Sequence, residues 1–437
     1  MTEIDAAAAD RIDDLIDRAG RAVARSAIRM LGGSYGRRVV VLAGPGNNGA
    51  DGRVAAHHLE RRGVRVTVVD ALTAPSALPA ADLVVDAAFG NGLSRDYVAP
   101  AVAPFTPVLA VDIPSGVDGL TGRCLGAPLR ADRTVTFQAL APGLVLEPGR
   151  DLAGSVEVVD IGLALGDVSV HVVEPSDVGA LLTRRPVDDH KWRSGVRVVG
   201  GSPGMTGAAW LAARSAQRCG AGIVQLSMPG ARGDEGPIES VAVPLPLDGW
   251  ADAAFATIEE RVCAVLVGPG LGPVGGVELM AACGLDQPVV FDGDALRPEL
   301  VTMLADRAAA TVLTPHDGEW RRLGGSDDAD RIGATRAFAQ AHQVTVVRKG
   351  PTTIVAAPDG SARVIVSGTA ALATAGTGDV LAGAIVALLA RGHSGPDAAT
   401  IAAHVHGVAG ARLGPGLVAS EVADLLPAVI ADLGAHG

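Results

Sequence analysis

Short apolar runs, each closing on glycine, a polar residue or a charge, recur along this chain and restrict its fold more than any other feature. In the first half they are Val39–Leu42, Val64–Val69, Leu83–Val85, Val108–Val111, Thr134–Phe137 and Val156–Val159, separated by helical or turn segments. This is the pattern of a mainly parallel sheet covered on both faces. Ligands in such folds bind beyond the carboxyl ends of the strands. The residues that follow each run are therefore where chemistry is to be sought.

The alternation then restarts. Polar, proline-containing sequence through Glu174-Pro175 and Arg184-Arg185-Pro186-Val187-Asp188-Asp189 leads into a fresh strand, Val196–Val199. A chain of 437 residues also exceeds one ordinary core. Two α/β domains are expected, 1–185 and 186–437. An amphipathic helix over 4–31 opens the first, with Ile12, Leu15, Ile16, Ala19, Val23 and Ala27 on one face. The second continues through a helix at 208–218, runs Val262–Val267, Val289–Phe291, Thr311–Leu313 and Val344–Val347, and a hairpin at Pro358-Asp359-Gly360.

The net charge of −12, with no basic stripe, argues against a nucleic-acid partner. No apolar run reaches the ~18 residues of a membrane span, and no basic-then-apolar signal opens the chain. Cys124, Cys219, Cys263 and Cys283 form no CxxC pair, which suits reduced thiols and a cytoplasmic protein.

After the first strand stands Gly44-Pro45-Gly46-Asn47-Asn48-Gly49-Ala50-Asp51-Gly52. It satisfies GxGxxG, and Asp70 closes the next strand, so a conventional dinucleotide-binding domain is a rival. Asn47, Asn48 and Asp51 are too polar for a simple pyrophosphate cradle. The third strand ends in Asp86-Ala87-Ala88-Phe89-Gly90-Asn91-Gly92-Leu93-Ser94-Arg95-Asp96, the fourth in Asp112-Ile113-Pro114-Ser115-Gly116-Val117-Asp118-Gly119. Asn48, Asp86 and Ser115 can converge at one rim, and hard oxygen donors without His or Cys suit an alkali or alkaline-earth cation.

In the second half, Ala373-Thr374-Ala375-Gly376-Thr377-Gly378-Asp379 runs straight into an apolar helix-forming segment. Glycines let backbone amides close on phosphate oxygens at the positive end of a helix. A carboxylate there is explained if Asp379 takes a proton from a hydroxyl about to attack that phosphate. Capping an ordinary helix is the competing role. Of 36 cationic side chains only Lys191 and Lys349 are lysines, both inside motif-like stretches. Lys349 with Thr352 and Thr353 suits a diphosphate. His316 could equally be a packed loop residue, and Asp292 and Asp294 helix caps.

Residues 44–52, 86–96 and 112–119 resemble the signature of the NAD(P)H-hydrate epimerase domain, a Rossmann-like three-layer α/β/α fold. The resemblance implies K+ on Asn48, Asp86 and Ser115. It implies the hydrated nucleotide on Asn47, Asn48, Gly49, Ala50 and Asp51, on Gly90, Asn91, Gly92, Leu93, Ser94, Arg95 and Asp96, and on Asp112 as acid/base. The family usually has glycine where Ala50 stands, so strain of order 1 kcal/mol is expected there if φ is positive. His190-Lys191, Gly200–Gly207, Gly268–Gly272, Asp292–Leu296, Thr314–Glu319, Lys349–Thr353 and Thr374–Gly383 resemble the NAD(P)H-hydrate dehydratase branch of the ribokinase-like superfamily. By that resemblance Asp379 is the base, with Gly376, Thr377 and Gly378 as the anion hole. Lys349, Gly350, Pro351, Thr352 and Thr353 would hold ADP, while Gly270, Gly272, His316, Asp317, Gly318, Glu319 and Arg322 line the hydrate pocket. Trp320 is a bulky departure expected to touch substrate fit. ADP is the expected co-substrate, with ATP as alternative and Mg2+ the candidate dehydratase metal.

The implied activity is nicotinamide nucleotide repair: epimerisation of NADHX and NADPHX, then dehydration of the S form by a homo-oligomer. A ribokinase-like vitamin or sugar kinase fused to a non-catalytic binding domain is the alternative.

Overall fold

The computed structural model describes residues 11–231, 236–256, 258, 260–305 and 307–435. They form two compact units, one ending at Val168 and the other beginning at Ser169. The division falls ahead of the boundary read near 185, because the intervening residues bond to the second sheet. Val170–Val172 pairs with Ala362–Ile365, and Val178 of the helix Pro175–Leu181 enters the second unit's core.

In the first unit helix α1 spans Ile12–Leu31; residues 4–10 of the expected helix lie outside the described residues. Strands follow as β1 (Arg38–Ala43), β2 (Arg65–Asp70), β3 (Leu83–Ala87), β4 (Tyr97–Val98), β5 (Val108–Val111), β6 (Gly126–Ala127), β7 (Arg133–Phe137) and β8 (Ser155–Val159). Six form a parallel sheet in the order β2-β1-β3-β5-β7-β8, and β4 pairs with β6. Successive residues of a strand face opposite ways. Val39, Val41 and Ala43 thus join the core beneath α1 and helix α2 (Asn47–Glu60). Val40 and Leu42 join the other face, covered by segments carrying Leu78, Val102 and Leu129. The strand order sets the carboxyl ends of β1, β3 and β5 side by side, which brings 44–51, 86–96 and 112–119 to one rim.

The second unit holds β9 (Val170–Val172), β10 (Gly195–Val199), β11 (Ile223–Ser227), β12 (Val241–Ala242), β13 (Val262–Val267), β14 (Val289–Phe291), β15 (Thr311–Leu313), β16 (Thr345–Arg348), β17 (Thr353–Ala356) and β18 (Ala362–Ile365). Their order is β12-β11-β10-β13-β14-β15-β16-β17-β18-β9. Pairing is parallel except at β16–β17 and β17–β18, and the expected hairpin turns at Gly360 with φ +83°. Strands β9, β11 and β12 were not anticipated from the sequence.

Helices α3 (Thr206–Arg218), α4 (Thr377–Ala390), α5 (Gly395–Leu413) and α6 (Ala419–Gly434) complete the second core. Helix α4 is buried continuously from Val380 to Ala390, so it reads as apolar all round. A Cβ on Gly383 would lie 2.2 Å from the Ala212 carbonyl oxygen, so α3 and α4 meet backbone to backbone. Among the described residues no helix is long and apolar enough to cross a membrane.

Candidate functional site

At the rim of the first sheet lies a cavity of about 790 Å³. The loop after β1 and the start of α2 supply Asn47, Asn48 and Asp51; the loop after β3 supplies Phe89 to Arg95; the end of β5 supplies Asp112. Helix α1 closes one side with Ile12, Leu15, Ile16 and Ala19, joined by Phe137, Ile161 and Leu163. Its first two turns form the apolar wall of the cavity, where Leu15 and Ala19 also pack with Ile161, and periodicity does not distinguish such a wall from core packing.

Asp112 is held by its surroundings in a conformation unusual for a non-glycine residue, with φ +66°. The Asn91 amide N–H and Nδ2 donate to its Oδ2 at 3.2 and 2.8 Å, and Thr136 Oγ1 donates to Oδ1 at 3.3 Å. A Cβ on Gly90 would lie 2.9 Å from Asp112 Oδ2 and 3.5 Å from Asn48 Cβ, so only glycine lets these two side chains approach. Asp51 is buried, and its pKa is pushed up to about 8, first by burial and then by the charge of Asp112.

Below the rim, Ser115 Oγ and N donate to Asp86 at 2.6 and 2.9 Å, and the Phe89 amide donates to Ser115 Oγ at 2.8 Å. Burial raises the pKa of Asp86, opposed by these donors. Both polar atoms of the Asn48 amide are buried without a protein partner among the described residues. A buried unpaired amide beside a buried carboxylate is what an oxygen-liganded cation would satisfy. The residues fit that group.

Of the loop residues, Asp96, Gly49 and Ala50 do not line the cavity. A Cβ on Gly49 would lie 1.9 Å from the Gly44 carbonyl oxygen, so Gly49 serves the turn. Ala50 sits inside α2 and has no positive φ, which removes the strain expected there. Ala50→Gly should lower the stability of the protein by roughly 0.5–1 kcal/mol, read from the urea midpoint.

The second constellation gathers on Lys349, at the end of β16. Its Nζ lies 2.9 Å from Asp292 Oδ1 and 3.6 Å from Glu319 Oε2, and Thr314 Oγ1 donates to Asp292 at 2.6 Å. Burial works against the ammonium, but Asp292 and Glu319 hold its pKa above the ordinary lysine value. Helix α4 begins close by: its cap Gly376 has φ +90°, and a Cβ on Gly378 would lie 3.3 Å from Lys349 Nζ. First-turn amides of a helix lack intrahelical acceptors and face an anion readily. Asp379, on that turn, has its pKa pushed up to about 7 by burial first, then by the charge of Asp292, with Lys349 opposing. A carboxyl group poised near neutrality beside a cation and free-facing amides can exchange a proton with a bound hydroxyl.

His316 Nδ1 accepts from the amides of Gly318 and Glu319 at 3.0 and 3.2 Å, and the His316 amide donates to Glu319 Oε2 at 2.8 Å. His316 therefore caps the helix Asp317–Arg322 and seats Glu319 against Lys349. Asp294 accepts from the Gly272 amide at 2.9 Å, and Ser202 donates to the Gly270 carbonyl at 2.9 Å. Asp317 pairs with Arg348 and Arg331 at 3.0 and 3.4 Å, and Arg322 is exposed. Thr352 is buried, Thr353 partly so, and Gly350 and Pro351 are exposed.

Two sequence expectations change, and one role left open narrows. Trp320 does not touch a substrate pocket: it is fully buried, with Arg348 4.7 Å above its ring and its indole N–H donating to the Ser326 carbonyl. Asp292, for which helix capping was one of the roles left open, is the closest counter-ion of Lys349 among the described residues. Lys191 is exposed beside Trp192, 6.0 Å from the ring, and takes no part in the constellation. Among the described residues, no group of three or more His, Cys, Asp or Glu side chains is arranged to hold a metal ion.

The chain matches two family models: NAD(P)H-hydrate dehydratase over residues 196–426, and the YjeF-related protein N-terminus over 12–77 and 69–143. It is 36% identical to a bifunctional NAD(P)H-hydrate repair enzyme of Salinibacter ruber, over 96% of this chain and 92% of that protein. Its likeness to the enzyme of the same description from Moorella thermoacetica is 35%, with the same coverage. An ADP/ATP-dependent NAD(P)H-hydrate dehydratase from Bacillus subtilis, co-crystallised with ATP/Mg2+, superposes with TM-score 0.53 at 30% identity, covering 61% of this chain and 100% of that one.

Proposed function

The chain belongs to the family of bifunctional NAD(P)H-hydrate repair enzymes, and from that membership we propose how its two sites divide the work. The first unit epimerises the R and S hydrates of NADH and NADPH; the second dehydrates the S form, restoring NAD(P)H. The observation that carries this reading is Asp379, a carboxyl group poised near neutrality on the first turn of an anion-facing helix.

Chemistry explains the need for a nucleotide. Hydroxide is a poor leaving group, whereas phosphate departs readily when an adjacent ring nitrogen supplies electrons. In the proposed step Asp379 takes the hydroxyl proton, the oxygen attacks the terminal phosphorus of ADP, and AMP leaves. The carbon–oxygen bond then breaks with departure of phosphate, and loss of a ring C–H proton restores the enamine. First-turn amides at Gly376, Thr377 and Gly378 would hold the phosphoryl oxygens, and Lys349, with Gly350 to Thr353, the diphosphate. ADP is the proposed nucleotide, with ATP as second choice. Mg2+ is proposed to arrive with the phosphates, because among the described residues no group of carboxylates is arranged to hold it.

In the first unit, Asn48, Asp86 and Ser115 would hold K+, which when bound supplies charge against Asp86 and fixes the surrounding loops. Asn48→Ala is expected to raise the potassium concentration for half-maximal epimerisation about tenfold, equivalent to about 1.4 kcal/mol. Action in the cytoplasm as a homo-oligomer is part of the proposal; sedimentation velocity tests the assembly.

Incubation with hydrate and ADP, hydrate and ATP, or a pyrimidine alcohol and ATP separates this reading from a vitamin or sugar kinase. Recovery of reduced-nicotinamide absorbance with AMP release supports repair. Phosphorylation of the alcohol without such recovery overturns it.

A further inference from the structure

Two carboxyl groups share the first unit's cavity, and their surroundings differ. Asp112 accepts from the Asn91 amide N–H, Asn91 Nδ2 and Thr136 Oγ1, three donors that favour its ionised form. Asn91 is itself locked in place: a Cβ on Gly119 would lie 2.1 Å from Asn91 Oδ1, so the loop after β5 clasps that amide against the carboxylate. Asp51, on α2, faces the same cavity but has no such set of donors among the described residues. Among the described residues, the charged side chains lining the cavity are Asp51, Asp112 and Arg95, and the Arg95 guanidinium lies 5.7 Å from the centre of the Phe89 ring. The facing surfaces of α1, Phe137, Ile161 and Leu163 are apolar. Among the described residues, no cation or donor set comparable to that on Asp112 acts on Asp51.

We propose that Asp51 and Asp112 form a one-proton pair in which Asp51 is the acid and Asp112, held by Asn91, is the base of epimerisation. The proposal rests on the epimerase reading of the first unit. Hydration of an enamine places the hydroxyl on the carbon bonded to nitrogen. Asp51 gives its proton to that hydroxyl, and the carbon–oxygen bond breaks with its electron pair leaving in water. The ring nitrogen's lone pair forms the carbon–nitrogen double bond. Water then adds to the opposite face, those electrons return to nitrogen, and Asp112 takes the surplus proton. No oxidant or reductant enters, and one proton has moved between the carboxyl groups. Exchange with solvent restores the starting form. The pKa of about 8 at Asp51, against an ordinary carboxyl value, agrees with a group that carries the proton at neutral pH.

The test uses the full chain with potassium. Asp51→Asn keeps the size and polarity of the side chain but cannot release a proton. It is expected to lower kcat for epimerisation on the order of 10²- to 10³-fold with little change in KM. The unaltered enzyme should lose activity as pH rises through about 8, and the residual activity of the variant should not. Asp51→Glu should recover part of kcat. Dehydration of the S hydrate by the same variant shows that the protein is folded. An unchanged kcat, a loss confined to KM, or an alkaline fall that persists in Asp51→Asn overturns the pair. If the unaltered chain fails to epimerise while Asp51→Asn still binds hydrate normally, the epimerase reading is what falls, and the pair falls with it.

Discussion

Asp379→Asn is expected to lower nucleotide-dependent dehydration on the order of 10³-fold while epimerisation by the same protein stays unaltered. The side chain keeps its shape, so nucleotide binding should persist, and the loss should appear in kcat. With a pKa of about 7, the base of the unaltered enzyme is half ionised near neutrality. Its dehydratase kcat/KM should therefore rise with pH through about 7 and then level off, and the variant should lack that limb. Stability should move the other way. The native carboxyl keeps its proton up to about pH 7, whereas in the unfolded chain it loses it near 3.8. The native state then binds more protons across that interval, so stability falls as pH rises through it. Asparagine carries no such linkage. The variant should be the more stable protein at pH 7 and above, by on the order of 3 kcal/mol, and comparison of melting curves at pH 4.5 and 8 reads the difference. Intact dehydration in Asp379→Asn would sink the assignment of the base.

Lys349→Met should cost more than binding. Removal of the ammonium leaves Asp292, Glu319 and Asp379 facing one another at a buried site. Breaking a buried pair by deleting one partner costs about 3–5 kcal/mol. Proton uptake by the carboxyls should recover part of that, so the stability deficit should shrink as pH falls. ADP affinity should fall as well. Because Lys349 opposes the upward push on Asp379, the ascending limb of residual activity should move to higher pH. Urea unfolding at two pH values and a pH–rate profile check these outcomes. A variant as stable as the unaltered chain at pH 8 would contradict the ion-pair geometry.

Much of this arrangement was legible in the sequence because it is local. Consecutive apolar residues gave β1, β3, β5, β13 and β14 nearly to the residue, and a glycine-rich turn running into one Asp marked the start of α4. What was hidden depends on distance along the chain. Asp292 and Glu319 meet Lys349 only after β14, β15 and β16 lie side by side, and no spacing rule reports that. Ile12 and Ile16 carry the same periodicity as Val23 and Ala27, although the first pair faces a cavity and the second a core. Trp320 stands next to Glu319 in sequence yet points the opposite way, into the core with Phe338. The division at 168 was missed because β9 is three residues long and belongs to a sheet whose other strands come later. The pairing of Asp51 with Asp112 required β1 and β5 to be seen flanking β3.

The lysine arrangement has a practical consequence. Amine-acylating reagents need an accessible, deprotonated nitrogen, and beyond the amino terminus this chain offers only two side chains of that kind. Lys191 is exposed, whereas Lys349 is largely but not fully buried and held charged by its neighbours. A reagent should thus mark Lys191 early and Lys349 late. The ratio of the two modified peptides becomes an internal clock for occupancy of the second site, needing neither chromophore nor engineered label.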